Sequence, residues 1–212
     1  NEFGKLEILG FGRANSNGVQ HGQVLNIDQT IKAIEQALQN CHLSNPDLEI
    51  NEVYVGIAGH HIKSLQHRGT LSRRHGDEEI EQSELDKLVN EMQNLALTPG
   101  LEILHVLPQD YKIDGEDGIR DPVGRIGVRL ECNYHIITGE TAAAKTIFKA
   151  VSKAGLKVAD LMVEPVASAR AVLSDAELEA GVALVDIGGG TTDICIFENG
   201  FISHTAIIPI GG

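Results

Sequence analysis

The stretch ALVDIGGGTTDICIFENG holds the residue types best suited to binding a charged phosphate group. Three consecutive glycines follow a short apolar run, and a carboxylate stands on either side of them, at Asp186 and Asp193. Glycines carry no Cβ, so a turn built from them can bring backbone N–H groups close to an anion. The predicted phosphate-binding residues are Gly188, Gly189, Gly190, Thr191, Thr192 and Asp193.

The polar residues beside the glycines suggest a second ligand, a divalent cation. Asp186 ends the first apolar run and can hold a hydrated Mg²⁺ against the phosphate. Thr191 and Thr192 offer hydroxyl groups, and Asp193 can order either the turn or the cation. The alternative is an ordinary glycine-rich hairpin between buried strands, with no ligand.

The residues after the glycines predict a strand and not a helix. The segment ICIF, residues 194–197, is rich in β-formers, and Asn199-Gly200 is a strong hairpin signal. A Rossmann or Walker phosphate loop would lead into a helix. The sequence therefore predicts a strand-turn-strand phosphate site.

Composition narrows the class of protein around this site. The chain has 212 residues, 42% of them hydrophobic, and a net charge of −13. That charge argues against nucleic acid as the main partner and against unaided binding to an anionic membrane. The three cysteines, Cys41, Cys132 and Cys195, are far apart and predict reduced, buried thiols in a cytoplasmic protein. No apolar run approaches the roughly 20 residues of a membrane-spanning helix.

The middle of the chain, from about Arg68 to Thr138, predicts a small α+β unit that interrupts a larger α/β domain. An apolar stripe predicts its helix: Leu85, Leu88, Val89, Met92 and Leu95. Ser83 and Asp86 resemble a capping box at the start of that helix. Residues 128–137 alternate between apolar and polar, which predicts a strand with one exposed face. A further strand is expected within residues 1–12, around Leu6, Ile8 and Leu9.

The glycine-rich stretch resembles the second phosphate-binding motif of the actin, Hsp70 and sugar-kinase superfamily. Glu164-Pro165, one helix earlier, is similar to that superfamily's hinge segment. The resemblance implies that Glu164 is catalytic and helps to place the attacking water. The alternative is that Glu164 only caps or salt-bridges the hinge. Gly212 resembles a glycine near the bound nucleotide and is included among the phosphate-binding residues.

Three longer segments resemble the FtsA family of bacterial cell-division proteins: residues 7–28, 53–64 and 104–131. The implied fold is α/β, an actin-like (ribonuclease H-like) lobe with an inserted subdomain of the 1C type. The implied domains are a first lobe of residues 1–67 and 140–180, the insertion at 68–139, and the start of the second lobe at 181–212. Both chain ends look cut, so we expect a fragment with an incomplete nucleotide site.

The same resemblance implies the function of the intact protein. It would bind ATP and Mg²⁺, hydrolyse ATP weakly if at all, polymerise, and link the FtsZ ring to the inner membrane. Its partners would be FtsZ, other division proteins and further copies of itself, through subdomain 1C. It would lie on the cytoplasmic face of the membrane at the division site, held by a C-terminal helix that is absent here. The rival interpretations are a pilus-assembly relative of FtsA and an Hsp70-like chaperone ATPase.

Overall fold

The computed structural model of the protein describes residues 7–212. Within them the helices are α1 (Ile27–Ser44), α2 (Gln82–Gln93), α3 (Thr141–Lys153), α4 (Glu164–Val172) and α5 (Asp175–Ala180). The strands are β1 (Val19–Gln20), β2 (Gln23–Val24), β3 (Glu52–Ile57), β4 (Lys63–Ser72), β5 (Leu101–Ile113), β6 (Glu116–Ile119), β7 (Arg129–Glu140), β8 (Lys157–Val163), β9 (Val182–Ile187), β10 (Thr192–Glu198) and β11 (Phe201–Ile208). The chain divides into two compact units.

The first unit comprises residues up to 57 together with residues 142–162. Its helix α1 begins at the cap Asn26, whose side chain accepts a hydrogen bond of 3.0 Å from the Gln29 amide. Strand β3 pairs with β8 in a two-stranded sheet. The strand predicted near the start is wrong for residues 8 and 9, which lie outside any strand, and Leu6 lies outside the described residues.

The second unit comprises residues 58–141 and 163–212 and contains two sheets. The first, here called the insertion sheet, has the strand order β4-β7-β5-β6 and is antiparallel throughout. Helix α2 covers one face of it, and the predicted apolar stripe is confirmed as part of that core. The predicted capping box is wrong, because Glu81 and Glu84 form it in place of Ser83 and Asp86.

The central strand β7 of the insertion sheet buries residues on both faces, so the prediction that one of its faces is exposed is wrong for Glu131 and His135. Glu131 is 7% exposed and His135 is 1% exposed. The Glu131 carboxylate is paired with Arg129 at 3.0 Å and with Arg68 at 3.7 Å, which offsets the cost of burying its charge. His135 is covered by β11, whose Thr205 hydroxyl lies 3.0 Å from the ring nitrogen Nε2.

The second sheet of this unit, here called the glycine-hairpin sheet, has the order β11-β10-β9 and is also antiparallel. Helix α4 packs on one face of it, where Ala169, Cys195 and Phe197 form a small core. The acidic segment before this sheet forms the short helix α5, with a capping box between Ser174 and Glu177. All three cysteines are free and buried, as predicted.

A bulge in β11 joins the two sheets of the second unit. Pairing slips between Ile196 and Phe197, which leaves Ser203 as the extra residue on β11. The freed Ser203 carbonyl accepts a hydrogen bond of 3.1 Å from Gln66 Nε2 of the insertion sheet. The Gln66 amide nitrogen also lies 3.1 Å from His135 Nδ1. Side chains of one sheet therefore bind the backbone of the other.

The predicted boundary between first lobe and insertion, at residues 67 and 68, falls inside the continuous strand β4. The division into lobes at 1–67, 68–139, 140–180 and 181–212 stays a prediction.

Candidate functional site

The glycine turn joins two antiparallel strands, as the sequence predicts. Asp186 on β9 and Asp193 on β10 are directly opposite each other, and the Gly188 amide donates to the Thr191 carbonyl at 2.9 Å. None of the three turn glycines has a positive φ. The absence of side chains leaves space at the turn instead, since a Cβ added at Gly189 would meet no atom within 4 Å. The outer surface of the turn is open to a ligand.

A second glycine pair, at the end of the described chain, fixes the shape of this turn. The Gly212 amide donates to the Gly188 carbonyl at 3.0 Å. Gly211 lies so close that an added Cβ would sit 2.4 Å from the Gly189 carbonyl carbon and the Gly190 amide nitrogen. The role of Gly211 is to accommodate backbone that is distant along the chain, which no local pattern in the sequence indicates.

Several of the predicted phosphate ligands already have protein partners, among them the Gly188 amide described above. The Thr192 hydroxyl donates to the Ile210 carbonyl at 2.7 Å. This hydrogen bond connects the residues that follow β11 to the turn. The Gly212 amide donates to the Gly188 carbonyl, as described above. Roles for Thr192 and Gly212 at a phosphate would require these bonds to open, and those roles stay predictions.

The two aspartates flanking the turn differ in their surroundings. Asp193 is 2% exposed, and its Oδ1 has no hydrogen-bond partner among residues 7–212. Burial raises the pKa of Asp193, the Thr191 hydrogen bond lowers it, and the charge of Asp186 raises it again. Asp186 is half-buried, and its Oδ2 accepts a hydrogen bond of 2.6 Å from the Ser168 hydroxyl.

Helix α4 brings the third carboxylate to the same place. Glu164 is its first residue, and Pro165 follows in the first turn, where no amide is needed. Burial is the largest cause of the raised pKa of Glu164, followed by the charges of Asp193 and Asp186. A bound cation would lower the pKa of Glu164 and so oppose these influences.

Ser168 is a site residue that sequence reasoning missed. It lies four residues after Glu164, so both side chains lie on one face of α4. That spacing is visible in the sequence, but its contact with Asp186, 18 residues away, is not.

This arrangement fits a magnesium ion held largely through water. Residues 7–212 contain no group of three or more His, Cys, Asp or Glu side chains placed to bind a metal directly. Mg²⁺ keeps several of its waters and is bound through one or two carboxylates plus substrate phosphates. A buried carboxylate oxygen without a partner, beside two more carboxylates, is consistent with such an ion.

A helix that spans a membrane must be both long and apolar. Among residues 7–212, no helix combines the length and the apolar character needed to span a membrane.

Residues 59–138 match the family described as the SHS2 domain inserted in FTSA. The whole chain is similar to curated proteins named cell division protein FtsA. It is 42% identical to the one from Neisseria meningitidis serogroup B, over 98% of this chain and 50% of that protein. It is 43% identical to the one from Pseudomonas aeruginosa, over 99% of this chain and 49% of that protein. The chain therefore spans about half the length of the curated relatives it matches.

Among solved structures, the chain resembles one titled PilM-PilN type IV pilus biogenesis complex. The TM-score is 0.61 at 12% identity, over 92% of this chain and 52% of that one. At that identity the likeness shows the fold alone. It agrees with the predicted actin-like lobe carrying an inserted subdomain.

Proposed function

Since this chain belongs to the FtsA family of bacterial cell-division proteins, we propose that it acts in division as an actin-like protein that binds ATP with Mg²⁺. The observation that carries the nucleotide site is the pair of carboxylates opposite each other beside an open glycine turn, one of them buried with an unpartnered oxygen. A plain hairpin gains nothing from burying such a charge, which costs free energy when it stays unpaired.

The phosphate would lie against the backbone of the glycine turn. Gly189 leaves open space above the turn, where the backbone of Gly188, Gly189 and Gly190 would approach the phosphate. The Gly188 amide would have to leave the Thr191 carbonyl to donate to it. Thr191 and Thr192 supply hydroxyl groups near the turn. Asp186 would hold the cation through water, and Asp193 would order that water or the turn.

Glu164 would orient the water that attacks the terminal phosphate. The metal, when bound, neutralises charge that develops on the phosphate oxygens. Glu164 stands at the start of α4, on the side of the turn that carries Asp186 and Asp193. Burial raises the pKa of Glu164, and a carboxylate with a raised pKa accepts a proton from water more readily. The rate of hydrolysis in such a protein can still be low.

The cellular role that we propose is the one the family resemblance implies. The intact protein would polymerise, connect the FtsZ ring to the cytoplasmic face of the inner membrane, and contact other division proteins. Self-association through the insertion is supported by three exposed apolar side chains near its tip, Val123, Ile126 and Val128, which are 41%, 62% and 54% exposed.

The nucleotide proposal can be tested by NMR titration of the ¹⁵N-labelled chain, which detects affinities in the millimolar range. Mg-ATP should shift the amide signals of residues 186–193, and Asp186→Asn should weaken that response more than it weakens the response to Mg-free ATP. The substitution removes charge near the cation and keeps the shape of the side chain.

Glu52→Gln is the matched control, because Glu52 is exposed in the other compact unit and pairs there with Lys157. Equal weakening of both responses by Asp186→Asn would mean that Asp186 is only a hydrogen-bond acceptor at the strand end. No shift near the turn at any ATP concentration would overturn the site itself.

A further inference from the structure

We propose that Ser168 is a positioning residue that sets the cation selectivity of the site, by occupying one oxygen of Asp186 so that this carboxylate favours Mg²⁺ over Ca²⁺. The inference rests on the proposed function, because it assumes a cation at Asp186. It concerns a residue and a property that the glycine motif does not specify.

The contact that carries the inference is short and local. The Ser168 hydroxyl donates to Asp186 Oδ2 at 2.6 Å, a length typical of a hydrogen bond to a charged oxygen. Ser168 lies in the interior of α4, and its neighbour Ala169 is packed into the core against Cys195 and Phe197. The helix therefore fixes the backbone at Ser168, from which the hydroxyl reaches Asp186.

The consequence concerns how many oxygens Asp186 can offer. With one lone pair of Oδ2 engaged by Ser168, Oδ1 is the oxygen more available to a cation, directly or through a water molecule. Mg²⁺ demands six ligands in near-ideal octahedral geometry and is commonly bound by single carboxylate oxygens and waters. Ca²⁺ accepts six to eight oxygens and commonly takes both oxygens of one carboxylate. A carboxylate with one engaged oxygen therefore disfavours Ca²⁺.

A second, independent observation indicates that a ligand belongs at these carboxylates. Asp193, directly across the sheet from Asp186, is 2% exposed and has an Oδ1 with no partner among the described residues. A buried charge of this kind is retained where a ligand compensates it. The hydrogen bond from Ser168 and the unpartnered oxygen of Asp193 lie on the same face of the glycine-hairpin sheet, under α4.

The experiment compares Mg²⁺ and Ca²⁺ titrations of the ¹⁵N-labelled chain in the presence of a fixed excess of ATP. The apparent dissociation constants are read from the amide signals of residues 186–193 at constant ionic strength. The variants are Ser168→Ala, Asp186→Asn and the control Ser152→Ala, which makes the same change at an exposed position of α3.

Ser168→Ala should lower the ratio of the Ca²⁺ to the Mg²⁺ dissociation constant at least about threefold, because it frees the second oxygen for bidentate coordination. Ser152→Ala should leave the ratio unchanged. A simple loss of helix stability would not move the ratio, since both cations would be measured on the same folded molecules.

The outcomes separate this inference from the proposed function. If Asp186→Asn leaves both cation responses intact, the proposed cation site is wrong. If Asp186→Asn abolishes them but Ser168→Ala leaves the ratio unchanged, or weakens both cations equally, the selectivity inference is wrong and the site stands.

Discussion

The two sheets of the second unit use their buried residues in opposite ways. The insertion sheet buries side chains on both faces, and its one buried carboxylate, Glu131, is paired with two arginines. The glycine-hairpin sheet buries Asp193 with an unpartnered oxygen, and leaves Val185 and Ile187 of the same sheet 52% and 66% exposed.

The difference supports the proposal that the glycine-hairpin sheet carries a binding site and that the insertion sheet is a scaffold. A buried carboxylate that is paired with cations is compensated, whereas a buried, unpaired carboxylate costs free energy that the rest of the fold must offset. Perturbed carboxylates cluster where chemistry is performed. The insertion sheet is thus suited to hold a fixed shape for contacts, and the hairpin sheet to bind a charged ligand.

The largest expected effect tests the core of the insertion sheet. Leu88 is fully buried between α2 and the sheet, so Leu88→Ala should destabilise the unit by about 2–5 kcal/mol. Val185→Ala, on the exposed face of the hairpin sheet, should cost no more than about 0.5 kcal/mol. Urea unfolding followed through the amide NMR signals of α2 and β10 gives both values. Similar losses from the two variants would contradict the contrast between the sheets.

The next effect tests the junction of the two sheets through its pH dependence. The amide nitrogen of Gln66 can only donate a hydrogen bond, so His135 Nδ1 accepts it. The proton of the neutral imidazole is therefore on Nε2, which donates to the Thr205 hydroxyl. Burial, together with the charge of His204, lowers the pKa of His135 to about 4, from 6.5. The unfolded chain therefore takes up this proton first as the pH falls.

Stability should be full above pH 6.5 and should decrease as the pH falls from 6.5 to about 4, by roughly 3 kcal/mol from this group alone. His135→Gln should remove that contribution while it keeps groups that can hydrogen-bond. The exposed His67→Gln, on the neighbouring strand, is the control and should follow the wild-type curve. Urea unfolding midpoints measured from pH 4 to pH 8 test this pH dependence. Parallel curves for wild type and His135→Gln would exclude a neutral, buried histidine.

The sequence predicts the parts of both sheets that depend on local pattern. The stripe through Leu88 identifies α2, and the glycines between two β-forming segments identify the hairpin that brings Asp186 opposite Asp193. In both cases the residues that come together are close in sequence, because they lie within one helix or on either side of one hairpin turn.

The contacts that sequence could not predict link distant segments through polar groups. His135 meets Thr205 across 70 residues, and Gln66 meets the Ser203 carbonyl across 137. The alternation of β7 correctly indicates a strand, but it carries no information on whether a second sheet covers the polar face. A single bulge at Ser203 provides the acceptor, and no local pattern in the sequence marks it.

A smaller effect tests the cost of the buried carboxylate in the hairpin sheet. Asp193→Asn should stabilise the unit by roughly 1 kcal/mol at pH 7, because it removes a buried charge with an unsatisfied oxygen. The gain should shrink as the pH falls toward the raised pKa of Asp193, since the wild-type side chain then becomes neutral as well. The same variant should weaken the response of the turn amides to Mg-ATP. Loss of stability at pH 7 would show that Asp193 is a structural acceptor.

The smallest effect on stability concerns the tip of the insertion, where the scaffold would meet another copy of the chain. Ile126 is 62% exposed, so Ile126→Asp should change the free energy of unfolding by no more than about 0.5 kcal/mol. It should nevertheless weaken self-association, because it places a charge among exposed apolar side chains in a chain whose net charge is already −13. Leu43→Asp, at a 73% exposed position of α1, makes the same change in the other unit and should leave association unaltered. Sedimentation equilibrium over a range of concentrations measures the difference, and equal association of both variants would place the self-contact elsewhere on the chain.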